Sequence, residues 1–253
     1  MLAEPTLTHR REAGHDLPLL VWRLPTPATA ISSAVLGGGL GECHWVVNAT
    51  VPMSYDRNDP SAHLAELARD LTLTGPGVGL LTGVDVADVV AEHEDGVRLW
   101  ATVGLSAPIQ AYDPTADNAA AHPGTVNAAT HPGTDDAVAY PGTDNAAAHP
   151  GTVNVVAWLP QRMSDGALVN AIATITEAKT QAIRDLNLPA TGTATDAVCV
   201  LCPPDGDPAA YGGPRSRWGE PLARAAYRAV HRGGRANLTG IQSWSERISP
   251  EKL

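Results

Sequence analysis

Ser164-Asp-Gly-Ala-Leu-Val-Asn-Ala-Ile-Ala-Thr-Ile-Thr-Glu-Ala-Lys179-Thr-Gln-Ala-Ile-Arg-Asp-Leu186, then Ala190-Thr-Gly-Thr-Ala-Thr-Asp196 and the apolar run Ala197-Val-Cys-Val-Leu-Cys202, form the stretch that decides the fold. At about 100° per residue, Leu168, Ile172, Ile175, Ala182, Ile183 and Leu186 fall on one stripe, which predicts a helix with a single core-facing side. Ser164 and Asp165 start it, with an acid in the first turn where the helix dipole favours one. The run after Asp196 reads as a strand. Lys179 lies near the centre of the apolar stripe, and the chain's only other lysine is Lys252. A buried amine is costly unless paired. Asp196, on the next element, is the candidate partner.

Outward from this stretch the chain alternates between strands and helices. Residues 17–24 predict a first strand ended by Pro25 and Pro27, and Ile31-Ser-Ser-Ala-Val-Leu36 a second that runs into Gly37-Gly-Gly-Leu-Gly-Glu42. Glu42 stands where a dinucleotide fingerprint has its third glycine. These glycines therefore mark either a tight turn or a backbone that must approach a ligand closely. His44-Trp-Val-Val-Asn-Ala-Thr-Val51 is the next strand. Asp59 caps and Pro60 opens a helix over 61–71, with Leu64, Leu67, Ala68 and Leu71 on its apolar face. After Gly75-Pro-Gly77 follow a buried strand at 78–82, a short helix at 85–92 and a strand at 97–105. Pro221 opens a last helix through Arg232, stopped by Gly233-Gly234. Residues 1–15 read as a flexible N-terminus and 235–253 as a tail without periodicity. The fold class is α/β (or α+β): a single domain over 16–234, its mixed sheet flanked by helices.

Residues 110–149 break the pattern. Pro-Gly-Thr recurs at 123–125, 132–134, 141–143 and 150–152, a strict nine-residue period. Copies made mostly of Ala, Asp, Asn and Gly cannot bury enough surface to offset the entropy of ordering. They read as a repeat-expanded surface loop. His122, His131 and His149 recur with them, and no metal site is expected of them. Only the last copy, Pro150-Gly-Thr-Val-Asn154, continues into an apolar strand, through Trp158.

A net charge of −10, with 17 basic against 27 acidic residues, argues against nucleic acid as a partner. It suits a salt-rich cytosol, where carboxylates keep the surface hydrated. No run approaches the ~18 apolar residues of a membrane span, and the first residues lack a signal-peptide pattern. A cytoplasmic protein with no membrane partner is the expectation. Three cysteines make no disulfide framework. Cys199 and Cys202 have redox-motif spacing, but residues three apart on a strand point to opposite faces. No structural metal is expected there.

Several segments, taken in order, resemble the adenosylcobinamide amidohydrolase (CbiZ) family over roughly residues 30–233. They are Ser32-Ser-Ala-Val35; Asn48, Val51, Tyr55 and Asp59-Pro60; Val78-Gly-Leu-Leu-Thr82; Ala101-Thr102; Pro150-Gly-Thr-Val-Asn154; Thr176-Glu-Ala-Lys179; and Thr191-Gly-Thr-Ala-Thr-Asp196. The turn at 106–112 departs from the family pattern, with Ala107 in place of an Asn and Ala111-Tyr112 in place of an Ala-Gly pair. The resemblance implies an enzyme of cobinamide salvage in cobalamin (cobamide) biosynthesis. Such an enzyme hydrolyses the amide between the corrin propionate and aminopropanol of adenosylcobinamide, giving adenosylcobyric acid and 1-amino-2-propanol. The corrinoid is then the partner. No cofactor is implied, because the substrate itself carries the cobalt, and a homo-oligomer is allowed. The alternative is a non-catalytic corrinoid-binding protein.

Amide hydrolysis needs an activated nucleophile, donors for the oxyanion and a proton for the leaving amine. No Gly-x-Ser-x-Gly elbow is present, and His93-Glu94 lacks the second His of a zinc-protease helix. Asp, Glu, Lys, Thr and Asn remain as polar candidates. The catalytic residues expected among them are Asp196, as base on water or on a hydroxyl such as that of Thr195, and Lys179, which orients Asp196 or protonates the amine. The alternative is that Lys179 and Asp196 are a buried structural ion pair. Backbone N–H groups of the Gly192 loop, with Asn48 or Asn154, would hold the oxyanion. Tyr55, Thr152, Thr193 and Glu177 complete the expected substrate-binding set. Of these, Tyr55 reads chiefly as a packing residue with a tethered hydroxyl. Glu177 is two positions from Lys179 and points to the opposite helix face.

Overall fold

In the computed structural model, which describes residues 2–12, 14–52, 54–112 and 151–239, each apolar run buries the face its periodicity marks. The strands are β1 (Thr6–Glu12), β2 (His15–Ser32), β3 (Gly39–Thr50), β4 (Gly77–Thr82), β5 (Val90–Glu94), β6 (Val97–Val103), β7 (Val153–Trp158) and β8 (Ala197–Cys202). The helices are α1 (Pro60–Asp70), α2 (Asp165–Asp185) and α3 (Gly219–Leu238). One mixed sheet runs in the order β4-β3-β2-β8-β7-β6-β5, with β1 paired to β2. The pairs β3–β4 and β7–β8 are parallel and the others antiparallel. This is the expected mixed-sheet domain.

The long strand β2 curls the sheet. Its first half pairs with β1 and β3, its second half with β3 and β8, and its register against β3 shifts between Arg23 and Ala28. Leu24-Pro-Thr-Pro27 falls in that gap, where two missing backbone donors cost no ladder bond. The prolines bend one strand rather than end it, which corrects the expectation of two. The bend lets the inner faces of the two half-sheets meet: Leu20, Trp22, Val46 and Leu80 share a core with Trp100, Val156, Trp158 and Leu201. The outer face of β6, β7 and β8 is covered by α2 and α3 through Leu168, Ile175, Ile183, Leu222 and Val230. On the other side α1 covers Leu19, Val21 and Val47 with Leu64 and Leu67. Cys199 and Cys202 lie in different cores, as strand parity requires, and are free thiols. Among the described residues no group of His, Cys, Asp and Glu could hold a metal ion, and no helix is long and apolar enough to cross a membrane.

Other expectations move. The N-terminus, read as flexible, forms β1, which pairs with β2 from Thr6↔Val21 to Glu12↔His15. Ahead of it, Arg98 holds the Leu2 carbonyl and Glu4, and Trp100 Nε1 donates to Glu4 at 2.8 Å. A half-solvated polar strand leaves little hydrophobic signal, so β1 was illegible. Residues 85–92 make only a single 3-10 turn at Val86–Asp88 before β5. β5 and β6 then form a hairpin through Asp95-Gly96, both at positive φ (50° and 89°), as a two-residue Asp-Gly turn requires.

Gly233-Gly234 do not stop α3, which continues to Leu238, into the stretch read as tail. A Cβ on Gly233 would stand 2.8 Å from Val103 Cγ2, and one on Gly234 2.6 Å from Leu186 Cδ1. The pair lets the helix lie close to its neighbours. At Gly37 (φ 71°) a Cβ would stand 2.0 Å from the Gly77 carbonyl, so the backbone approached there is the protein's own. The helix at 61–71 forms as expected, with Asp59 Oδ1 accepting from Ala62 N–H at 2.8 Å. Residues 113–150, with the first three repeat copies and His122, His131 and His149, and residues 240–253 lie outside the described residues.

Candidate active site

Asp196 closes the loop between α2 and β8, and Lys179 meets it from α2. Lys179 Nζ donates to Asp196 Oδ2, which also accepts from Thr193 N–H at 3.1 Å. Oδ1 accepts from the Thr193 hydroxyl at 2.5 Å and from Val153 N–H at 2.8 Å. The carboxylate thus ties α2, its own loop and the start of β7 together. The two side chains are only 10% and 12% exposed. Gly192 is needed beside them, since a Cβ there would lie 2.5 Å from both Asp196 Oδ2 and Lys179 Nζ. The turn at 106–112 clips the same loop: Ile109 N–H donates to the Gly192 carbonyl, Thr191 N–H to the Ile109 carbonyl and Ala111 N–H to Thr191 Oγ1, each at 2.8 Å. Donors engage both carboxylate oxygens. To act as a base on water, Asp196 would have to release one of them. Thr195 is bonded elsewhere, to the Thr152 hydroxyl at 2.7 Å and the Gly151 carbonyl at 3.3 Å.

Asn48 and Asn154 meet on the inner face, where β7 crosses over the opposite half-sheet. Asn154 Nδ2 donates to Asn48 Oδ1 at 3.0 Å and to the Leu81 carbonyl at 2.8 Å. Asn48 Nδ2 donates in turn to Thr102 Oγ1 at 3.1 Å. Both amide hydrogens of Asn154 are therefore used, and its buried Oδ1 has no partner. What Asn154 has to spare is an acceptor, not the oxyanion donor its type suggested. Asn48 has a second amide hydrogen for that task. Asn154 shares its strand face with Val156 and Trp158 of the inner core, whereas α2 covers the outer face. The expected single site is thus two groups, Lys179–Asp196–Thr193 and Asn48–Asn154–Thr102, bridged at residues 151–154 by the Thr152–Thr195 contact. Glu177 belongs to neither. It is exposed on the far side of α2, in a groove of about 340 Å³ shared with Gln181, Arg224 and Tyr227.

Tyr55 has a partner that was not foreseen. Its hydroxyl lies 3.0 Å from His63 Nδ1, and the two rings stack at 21° with centroids 5.5 Å apart. His63 Nε2 lies 3.2 Å from Glu12, which also receives Arg10 Nε at 2.9 Å and Arg57 at 3.1 Å. Burial pushes the Tyr55 phenol up to about 12. Burial likewise holds His63 below its ordinary value, against the pull of Glu12. At Glu12 burial acts upward, but the Arg10 hydrogen bond and the charges of His63, Arg10 and Arg57 bring it below the usual carboxylate value. Arg10 also donates to the Thr50 carbonyl at 2.8 Å, at the end of the strand that carries Asn48. The available signal was a histidine beside Leu64 and Leu67 on a buried helix face. Its partner Glu12 sat on the strand that left no pattern.

The family comparison agrees with the resemblance. The sequence profile of the CbiZ family, adenosylcobinamide amidohydrolase, matches residues 4–240, and the chain belongs to that family. The uncharacterized protein MJ1613 of Methanocaldococcus jannaschii is 42% identical over 76 residues, which is 27% of this chain and 29% of that protein. The chain thus matches under a third of that relative's length. The crystal structure of the PH0078 protein from Pyrococcus horikoshii OT3 superposes with a TM-score of 0.42 at 8% identity, covering 96% of this chain and 86% of that one.

Proposed function

We propose that the protein hydrolyses adenosylcobinamide at the amide between the corrin propionate and aminopropanol, releasing 1-amino-2-propanol and leaving adenosylcobyric acid for cobamide synthesis. The family match over residues 4–240 carries this reading. The corrinoid is the substrate and brings its own cobalt, and the hydrolysis itself involves no change of oxidation state. In this reading Lys179 and Asp196 order the loop that bears Thr193 and Thr195, and Thr152 joins that loop to β7. Asn48 offers an N–H toward the oxyanion, and Asn154 offers its unpartnered oxygen to an N–H of the substrate. Asp196 becomes available as a base only where one of its donors moves to substrate.

The test is to incubate the protein with adenosylcobinamide and assay free 1-amino-2-propanol. Stoichiometric release over many turnovers is expected. Tight binding without release would favour the non-catalytic corrinoid-binding alternative.

A further inference from the structure

Glu12, His63 and Tyr55 stand in line as carboxylate, imidazole and hydroxyl, the order in which a base is oriented and a hydroxyl polarised. We propose that they form a proton relay, with Tyr55 the catalytic residue that touches the water attacking the scissile amide and His63 and Glu12 positioning residues behind it. The proposal rests on the amide-hydrolase reading above.

The direction of the relay follows from the hydrogen bonds. Glu12 is held by Arg10 and Arg57, and as a carboxylate it accepts only. His63 therefore presents Nε2–H to Glu12, and its Nδ1 carries the lone pair that receives the Tyr55 hydroxyl proton. The remaining lone pairs of the phenol oxygen point away from His63. Burial sets the order of access: the His63 side chain is 1% exposed and that of Glu12 20%, while Tyr55 is half-buried at the outer end. A substrate or water meets the phenol, not the imidazole.

The step balances without any other reactant. As water attacks the amide carbon a C–O bond forms, the water proton passes to Tyr55 Oη, and the Tyr55 proton passes to His63 Nδ1, leaving an imidazolium against Glu12. When the tetrahedral intermediate collapses the C–N bond breaks with its electron pair on nitrogen. The proton then returns from His63 through Tyr55 to that nitrogen, and the products are carboxylic acid and amine. A phenol at about 12 does not store the charge, so its two proton transfers are matched. An imidazole below its ordinary value is neutral at neutral pH and ready to accept. The charged neighbours are Arg10 and Glu12 from β1, Arg57 beside Tyr55, and Asp59 and Glu66, one capping α1 and one on it. Arg10 links this line to the Thr50 carbonyl, two residues from Asn48.

Tyr55→Phe keeps the ring on His63 and removes only the hydroxyl. The expected result is a loss of about 10²–10⁴-fold in kcat for aminopropanol release, with KM within about twofold and a lower Tm, since a buried imidazole nitrogen loses its partner. Glu12→Gln should lower kcat and move the acid limb of its pH profile to lower pH, because a neutral side chain no longer supports the imidazolium. A purely structural cluster would leave that limb in place. Turnover within about twofold of wild type in Tyr55→Phe, or an unmoved limb in Glu12→Gln, overturns the relay. If Tyr55→Phe fails to fold, the Glu12→Gln limb decides alone. Absence of turnover in the wild-type protein overturns the amide-hydrolase reading and the relay with it, whereas an active wild type with an active Tyr55→Phe overturns the relay only.

Discussion

Asp196 is the residue on which most of the site's order depends, since its two oxygens collect Lys179, the backbone and hydroxyl of Thr193, and the first N–H of β7. An asparagine there would turn an N–H toward a donor and leave the nearly buried ammonium of Lys179 without its counter-charge. Breaking a buried pair from one side costs about 3–5 kcal/mol. Asp196→Asn should lose at least about 3 kcal/mol of stability in urea unfolding, and adding Lys179→Met should recover part of it. If Asp196→Asn is as stable as wild type, the carboxylate is no structural pin and its role must be chemical. This pair was legible in the sequence because an amine on an apolar stripe must find an acid. The separation of Asn154 from it was not legible: Asn154 shares parity with Val156 and Trp158, but only the structure shows that α2 covers the other face. Nor were His63 and Glu12, because a contact between a helix and a strand remote in sequence carries no local spacing.

At the scale of elements, two of the differences between sequence and structure share one cause: a proline or glycine that local propensity reads as the end of an element instead bends or packs it. Pro25 and Pro27 sit in the register gap of β2, and Gly233-Gly234 lie inside α3. Local propensity gives the cost of such a residue but not the neighbour that justifies it. The Asp95-Gly96 hairpin is the converse case, a clear two-residue turn signal passed over for a short helix. The helix glycines make the packing account testable. Gly233→Ala gains up to about 1 kcal/mol in helix propensity but presses a methyl on Val103 Cβ and Cγ2, a β-branched side chain stiff at χ1. Overpacking of that kind costs about 1–3 kcal/mol, so Gly233→Ala should be the less stable protein. Gly234→Ala meets only the terminal methyls of Leu186 and Leu105, which can turn aside, and should be close to neutral. Thermal unfolding of the two variants gives the order, and a stabilising Gly233→Ala would show that the close approach is not tight.

For the whole molecule the decisive quantity is charge. With a net −10 the folded chain repels itself, and folding concentrates that repulsion in a smaller volume. Opposed to it are local pairs such as the ladder on α3, where Arg224 meets Glu94, Asp95 and Glu220, Arg228 meets Glu94 and Arg232 meets Glu92. Salt weakens both effects, and the sign of its action shows which is larger. Exposed pairs contribute about 0.2–1 kcal/mol each at most, and the Debye length shrinks from about 10 Å at 0.1 M to about 3 Å at 1 M. The pairs lose little because they were worth little, while the repulsion among the surplus carboxylates is largely removed. Raising NaCl from 0.05 M to 1 M at pH 7.5 (conditions on the order of those just compared) should therefore raise Tm. The gain should shrink as carboxylates are neutralised by Asp→Asn or Glu→Gln substitutions at exposed, unpaired positions. An unchanged or lower Tm in high salt would mean that the local pairs, not the net charge, govern stability, and would remove the case for a salt-adapted surface.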